Sequence, residues 1–427
     1  MKTKLLPLSV FICVRLWIQP VNVAASQAAT AGHTLTGIDV LEAQKFALLM
    51  GKRVGLITNQ TGVDRQGRST IDLLAHAPGV KLVALFSPEH GIRGTADERV
   101  ASAKDEATGL PVYSLYGETL RPTDAMLAGI DALVFDIQDA GVRFYTYITT
   151  MGYAMEAAAA HHIAFFVLDR PDPLTGEGLE GPMLDPDRVN FVGYFPMPVK
   201  MGMTLGEMAK MFNAEKKIGC DLHVVRMKNW RRKMWFDETG LPWVNPSPNL
   251  RSLTENILYP GLEILQAGGV SVGRGTDRPF ELVGAPWIHG EELATELNRR
   301  AIPSVGFEPA KFTPAAGLFK GEVCEGVKIT LTSRALSSML MGLEIASTLG
   351  KLYPEKFDPA KMIELVGNAA TIKQLVKGDD PRKIERSPAW SKGLENFYEG
   401  QRKYLSYPRH TKRVKLEDSR PMVHQGD

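Results

Sequence analysis

Glu89 stands between Pro88 and the pair His90-Gly91, just after the apolar run Lys81 to Phe86. Proline restrains the chain before it and glycine permits a tight exit after it, so the carboxylate is expected to be held at a sheet edge. That setting suits a proton donor. Breaking a glycosidic bond needs an acid at the leaving oxygen and a second group to handle the anomeric carbon. A carboxyl group set against apolar walls keeps its proton to higher pH and can serve as that acid. Asp136 and Asp139 follow a second apolar run, Ala132 to Phe135, and are the candidates for the second group. A 2-acetamido group on the substrate is the alternative nucleophile, oriented by one of these aspartates. The competing readings are structural: Glu89 as a loop cap, Asp139 as a helix cap or the partner of Arg143.

Arg143, Arg170, Arg274 and Arg278 all fall in the loops expected around these acids. Guanidinium groups grip carboxylates through two parallel hydrogen bonds, so one of the four is expected to read an acidic substrate and the others to form internal ion pairs. Tyr145, Tyr147 and Trp287 can stack on a sugar face, although aromatics at such spacing also serve as core. Asn59, His90, Asp169 and Ser271 complete the expected substrate-binding set.

The elements that must position these residues alternate between strand and helix. Apolar runs at 53–58, 81–86, 111–116, 132–135 and 163–168 read as buried strands, and 221–226 as a further one. Helices are expected from Ser69 to Ala77, Tyr153 to His162 and Thr204 to Lys216, the last with Thr204 as cap and Glu207 at its third position. Continuous apolar strands between helices predict a parallel sheet covered on both faces. Four of the strands run straight into polar clusters, and the carboxyl edge of such a sheet is where ligands bind. Helices are also expected at 252–258, 291–299, 336–349, 361–366 and 394–405, and a strand at 327–332. The fold class is therefore α/β: a Rossmann-like parallel-sheet domain over 33–288, a smaller α+β C-terminal domain over 289–410, and a polar tail from 411 to 427.

Several familiar motifs fail on their context. Gly176-Glu177-Gly178-Leu179-Glu180-Gly181 has the letters of a dinucleotide fingerprint, but Pro171 and Pro173 precede it and Pro182 follows, so no helix opens there. Gly269-Val270-Ser271-Val272-Gly273 matches a nucleophile elbow, yet Arg274 to Pro279 is unsuited to helix entry. A serine esterase using Ser271 is the runner-up, and a non-catalytic wall-binding protein a third reading. No metal-ligand spacing, phosphate loop or cofactor is found. Of 427 residues 44% are hydrophobic and 23% charged, which places the chain among ordinary globular proteins. Met1 to Ala25 carries Lys2, Lys4 and Arg15, an apolar stretch, and small residues at Val23-Ala24-Ala25, and reads as a secretory signal. Removing its three cations from the net +2 leaves −1, no footprint for nucleic acid. A stable membrane span is not expected either. Cys13 would leave with the signal; Cys220 and Cys324 are expected to act as small buried hydrophobes.

At these same residues the chain resembles the NamZ-type exo-β-N-acetylmuramidases, a family formerly called a domain of unknown function. The matching stretches are Thr58 to Gly62, Ser87 to Gly91, Val112 to Gly117, Phe135 to Asp139, Arg143 to Tyr147, Leu168 to Pro171, Ser247 to Asn249, Gly273 to Thr276, Pro279 to Glu281, Gly284 to Trp287 and Arg402 to Leu405. They span nearly the whole mature chain in order. The resemblance implies a Rossmann-like catalytic domain with a smaller C-terminal domain forming one wall of the cleft. It also implies release of terminal N-acetylmuramic acid from the non-reducing end of peptidoglycan fragments, with Glu89 as the catalytic glutamate. The lactyl carboxylate of that sugar is the acidic group one of the four arginines is expected to bind. Two stretches depart from the family pattern: Met201 stands where many members have histidine, and Gln266 to Gly269 replaces a stretch that usually holds Glu and Asn. These departures bear on sugar specificity.

Overall fold

The computed structural model describes residues 33–94 and 101–409; the expected secretory signal and polar tail lie outside the described residues. Seven strands form one sheet: β1 (Arg53–Thr58), β2 (Lys81–Ser87), β3 (Ala103–Lys104), β4 (Pro111–Ser114), β5 (Ala132–Asp136), β6 (Ala164–Leu168) and β7 (Leu222–Val225). Their order is β3-β4-β2-β1-β5-β6-β7, and every neighbouring pair is parallel except the short β3 against β4. Alternate residues of these strands face opposite ways, which is why the runs had to be apolar throughout. Val54, Leu56, Leu85, Val134 and Phe166 pack under α1 (Gly37–Ala43) and α2 (Thr70–Ala75). Ile57, Phe86, Leu133, Phe135 and Phe165 face the other way, toward Met151 and Met155 of α4 (Tyr147–Ala160) and Met208 and Phe212 of α5 (Leu205–Glu215). A one-turn helix, α3 (Asp124–Leu127), connects β4 to β5.

The capping box expected at Thr204 is present: the Thr204 hydroxyl accepts from Glu207 N at 3.3 Å and Glu207 accepts from Thr204 N at 3.2 Å. Helix α4 begins at Tyr147, six residues before the expected start, so that Thr146 rather than a loop residue occupies its N-cap. Residues 176–181 form an irregular segment, as the flanking prolines required.

A second, antiparallel sheet has the order β8-β10-β9, from β8 (Leu282–Ala285), β9 (Val305–Phe312) and β10 (Cys324–Leu331). Helix α7 (Gly290–Arg299) packs on it, α8 (Ser338–Leu352) packs on α7 and α6 (Leu253–Ala267) on α8, and four more helices follow: α9 (Ile363–Val366), α10 (Ala369–Lys377), α11 (Pro381–Glu385) and α12 (Pro388–Gln401). Helix α6 continues nine residues beyond the expected end at Leu258, straight past Pro260. Its contact with α8 explains why. A Cβ on Gly261 would lie 1.9 Å from Ser338 O, and one on Gly342 would lie 2.2 Å from Gly261 O, so the two helices cross backbone to backbone. Ser338 Oγ accepts from Gly261 N at 2.9 Å. That tertiary packing outweighs the local cost of an interior proline. Strand β9 carries Pro309 and is an edge strand, where a missing N–H is tolerated.

The chain then returns to the large sheet. Tyr407 donates its hydroxyl to Asp169 at 2.6 Å and accepts from Met227 N at 2.9 Å, while Ser406 N donates to Glu207 at 2.8 Å. Cys220 and Cys324 are buried free thiols.

Candidate active site

The central strand is β1, with β2 on one side and β5 on the other, so the chain winds outward in both directions from it. In open α/β sheets the crevice at such a reversal, outside the carboxyl ends of the strands, holds the ligand. The loops that meet there are tied together. Thr58 Oγ1 donates to Asp136 O at 2.7 Å, Gln138 N donates to Thr61 Oγ1 at 2.8 Å, and Leu115 N donates to Ser87 O at 2.8 Å.

Glu89 sits two residues beyond β2 at this edge, half-buried. The turn holding it is closed by Gly91 N donating to Pro88 O at 3.0 Å. His90 and Gly91 both have left-handed backbones, at φ 68° and 76°; glycine adopts this freely, whereas at histidine it stores strain. One Glu89 oxygen accepts from Thr146 Oγ1 at 2.5 Å. Because Thr146 is the N-cap of α4, the carboxylate also faces the positive end of a 14-residue helix. Beneath lies an aromatic floor. Tyr145 and Tyr147 meet edge-on at 4.7 Å, Tyr145 and Tyr259 at 6.0 Å, and all three are buried. The Tyr147 hydroxyl donates to Pro246 O at 2.8 Å, which anchors the loop carrying Ser247 and Asn249. Burial, with the nearby Glu89 charge, pushes the Tyr147 phenol up, so it stays protonated. Tyr145 and Tyr147 are thus floor rather than stacking rings, and Trp287 packs on Tyr353.

Asp136, the last residue of β5, and Asp139, three residues beyond it, behave differently from Glu89. Asp136 is fully buried; Arg170 holds it through two bonds, at 2.6 and 2.9 Å, and Thr70 adds a third at 2.5 Å. These bonds tie it into the protein, which makes it a structural anion. Asp139 is 5% exposed and accepts from Gly141 N at 2.7 Å, while its other oxygen has no hydrogen-bond partner. Burial pushes its carboxyl up to about 7 against the opposing amides of Gly141 and Ala140. Asp172 lies close by: a Cβ on Gly141 would come 2.6 Å from its Oδ1. Its carboxyl is also buried and held well above the usual range by desolvation.

The four arginines separate in the same way. Arg143, 1% exposed, donates to the carbonyls of Pro182, Met197, Leu365 and Val366 at 2.8–3.0 Å. Burial draws its guanidinium down to about 9. It joins the two halves of the family-like sequence and does not reach solvent. Arg170 is engaged with Asp136. Arg278 is an exposed partner of Glu281 at 3.2 Å. Arg274 is half-buried, holds both oxygens of Glu263 at 2.7 and 2.8 Å, and packs over Phe280. Phe280 in turn meets Tyr259 edge-on at 4.9 Å, which sets Arg274 one ring away from the tyrosine floor.

Asn59 is buried with its carbonyl oxygen accepting from Thr61 N and Oγ1, at 2.9 and 2.6 Å. Asp169 caps α5 through Gly206 N and Thr204 Oγ1, both at 2.9 Å, and is closed off by Tyr407. It is buried structure, not a substrate contact. Ser271 is buried in a bridge to Gly284, and the residues after it turn back at Gly273 instead of entering a helix. Met201 is fully buried, and Gln266 to Gly269 form the end of α6 against Phe357, so both departures fall on packing positions. Thr146, Asp172, Tyr259 and Glu263 were missed in the sequence. Thr146 had a signal: a threonine directly before a helix that begins at Tyr147.

Comparisons with known proteins agree with one another. A family model described as the N-terminal part of exo-beta-N-acetylmuramidase NamZ matches residues 54–254, and its C-terminal counterpart matches 257–407. A peptidoglycan beta-N-acetylmuramidase NamZ from Bacillus subtilis is 46% identical over 388 residues, covering 90% of this chain and 93% of that protein. A crystal structure of a DUF1343 family protein from Bacteroides fragilis is 40% identical with a TM-score of 0.81, covering 88% of this chain and 99% of that one. A second such structure from the same species is 29% identical with a TM-score of 0.72, covering 89% and 100%.

Proposed function

The chain belongs to the NamZ family of exo-β-N-acetylmuramidases, and we propose that it releases terminal N-acetylmuramic acid from peptidoglycan fragments with Glu89 as the proton donor. One contrast carries this reading. Of the three carboxylates expected in the site, Glu89 alone is half-exposed; Asp136 is clamped by Arg170 and Asp139 is buried. In the proposed step the Glu89 proton passes to the glycosidic oxygen as the bond to the anomeric carbon breaks, and the bonding pair leaves with that oxygen. With neither aspartate exposed, the substrate's own acetamido oxygen is the nucleophile that closes on the anomeric carbon. Water then opens the ring, giving its proton to the Glu89 carboxylate and restoring the acid. Arg274, partly exposed and packed over Phe280 next to Tyr259, is the arginine suited to the lactyl carboxylate.

The test is turnover of a chromogenic β-N-acetylmuraminide. Glu89→Gln should lower kcat by about 10²–10⁴-fold, the usual contribution of a positioned acid, and the first product should keep the β configuration. Undiminished turnover in the variant would remove Glu89 from the mechanism; an α product would remove the acetamido step. The leader over 1–25 supports export to the compartment that holds peptidoglycan. A mature N-terminus beginning after Ala25, read by sequencing the secreted protein, is the expected result.

A further inference from the structure

Strand β4 ends beside β2 at the same sheet edge, and the Leu115 N to Ser87 O bond ties the loop after it to the strand end that carries Glu89. The next residue in that loop is Tyr116. Its ring stacks on Phe191 at 5.9 Å with the planes 25° apart, and Phe191 leans on Tyr153 at 6.2 Å. Tyr153 lies on α4, seven residues along from Thr146, the residue that holds Glu89. At 1.5 Å per residue this puts the cluster about 10 Å along the helix from the carboxylate. All three rings are half-buried, and Val189 beside them is 43% exposed. Around the rings the border is polar. Arg121 lies 3.5 Å over the Tyr153 ring and pairs with Glu156, and Asn190 is exposed.

A core cluster would be covered, and a solubility surface would not align three rings at the rim of a catalytic edge. Pyranose rings present a flat C–H face that packs on aromatic rings, while their hydroxyls seek charged and amide partners at the border. This inference rests on the proposed glycosidase reading. An enzyme that removes one terminal sugar leaves every other sugar of its substrate on the leaving side. We infer that Tyr116 and Phe191 form a subsite for the leaving saccharide, a neutral amino sugar of the glycan chain, with Arg121 at its border. The geometry makes these residues determinants of substrate length, separate from the chemistry at Glu89.

The experiment compares kcat/KM on an N-acetylmuramyl-terminated tetrasaccharide with kcat/KM on the aryl glycoside, in wild type, Tyr116→Ala, Phe191→Ala and Tyr116→Phe. In the two alanine variants the ratio of oligosaccharide to aryl glycoside should fall about three- to tenfold, in line with loss of one aromatic contact. Tyr116→Phe, which keeps the ring, should retain the wild-type ratio. A ratio unchanged in both alanine variants, including the case of equal loss on both substrates, would overturn the subsite. Wild-type enzyme inactive on both substrates would overturn the glycosidase reading and the subsite with it, so the two failures are told apart.

Discussion

Two neighbouring loops at the same sheet edge each present acids, and they do opposite things. After β2, Glu89 keeps one visible hydroxyl partner and an open side. At the end of β5, Asp136 is enclosed by Arg170 and Thr70, and Asp139, three residues on, is buried and held by Gly141 N. All three are carboxylates at the carboxyl ends of parallel strands; what differs is how the surrounding groups satisfy the charge. A carboxylate held by a bidentate guanidinium has its oxygens committed to the fold, whereas one held by a single hydroxyl keeps an oxygen open to a substrate.

Variants can break this contrast, and the largest effects are expected where it is sharpest. Glu89→Gln should abolish most turnover, as above, while leaving the unfolding midpoint near that of wild type, since a half-buried neutral amide still bonds Thr146. Asp136→Ala should do the reverse. Removing one member of a buried ion pair strands the other, so unfolding in urea should show a loss of roughly 3–5 kcal/mol. If Asp136→Ala proved as stable as wild type, the β5 acid would be no more structural than Glu89.

Asp139→Asn sharpens the comparison through pH. A carboxyl held up at about 7 in the fold, against about 3.9 in the unfolded chain, binds more protons when folded. Its stabilising share is therefore complete below about pH 4 and is lost as pH rises to about 7. The amide variant does not titrate, so its stability should fall less steeply over that window in pH-dependent unfolding. An unaltered slope would show that Asp139 is not the buried acid described. The smallest effect is expected from Thr146→Val, which removes one hydrogen bond to Glu89. Turnover should drop about tenfold, as for a hydrogen bond of roughly 1.5 kcal/mol, with the fold intact and Thr146→Ser, which keeps the hydroxyl, close to wild type.

The sheet was legible in the sequence because buried parallel strands must be apolar on both faces, and 53–58, 81–86, 132–135 and 163–168 are. Glu89 was legible because proline and glycine bracket it. Arg143 was not: nothing in a run of residues shows that four carbonyls, two of them more than 200 positions away, converge on one guanidinium. The extent of α6 was hidden by Pro260, a local breaker overruled by a distant glycine contact. Strand β9 was hidden by a proline that is harmless only because the strand lies at an edge.

The bond from Tyr407 to Asp169 has a consequence for biosynthesis. Asp169 is made some 238 residues before its partner, and Glu207 likewise waits for Ser406. Until the ribosome delivers those late residues, the rim of the first-made sheet retains buried acids with missing donors. A protein truncated shortly after α12 would therefore carry every expected catalytic group and still lack the donors that close this rim.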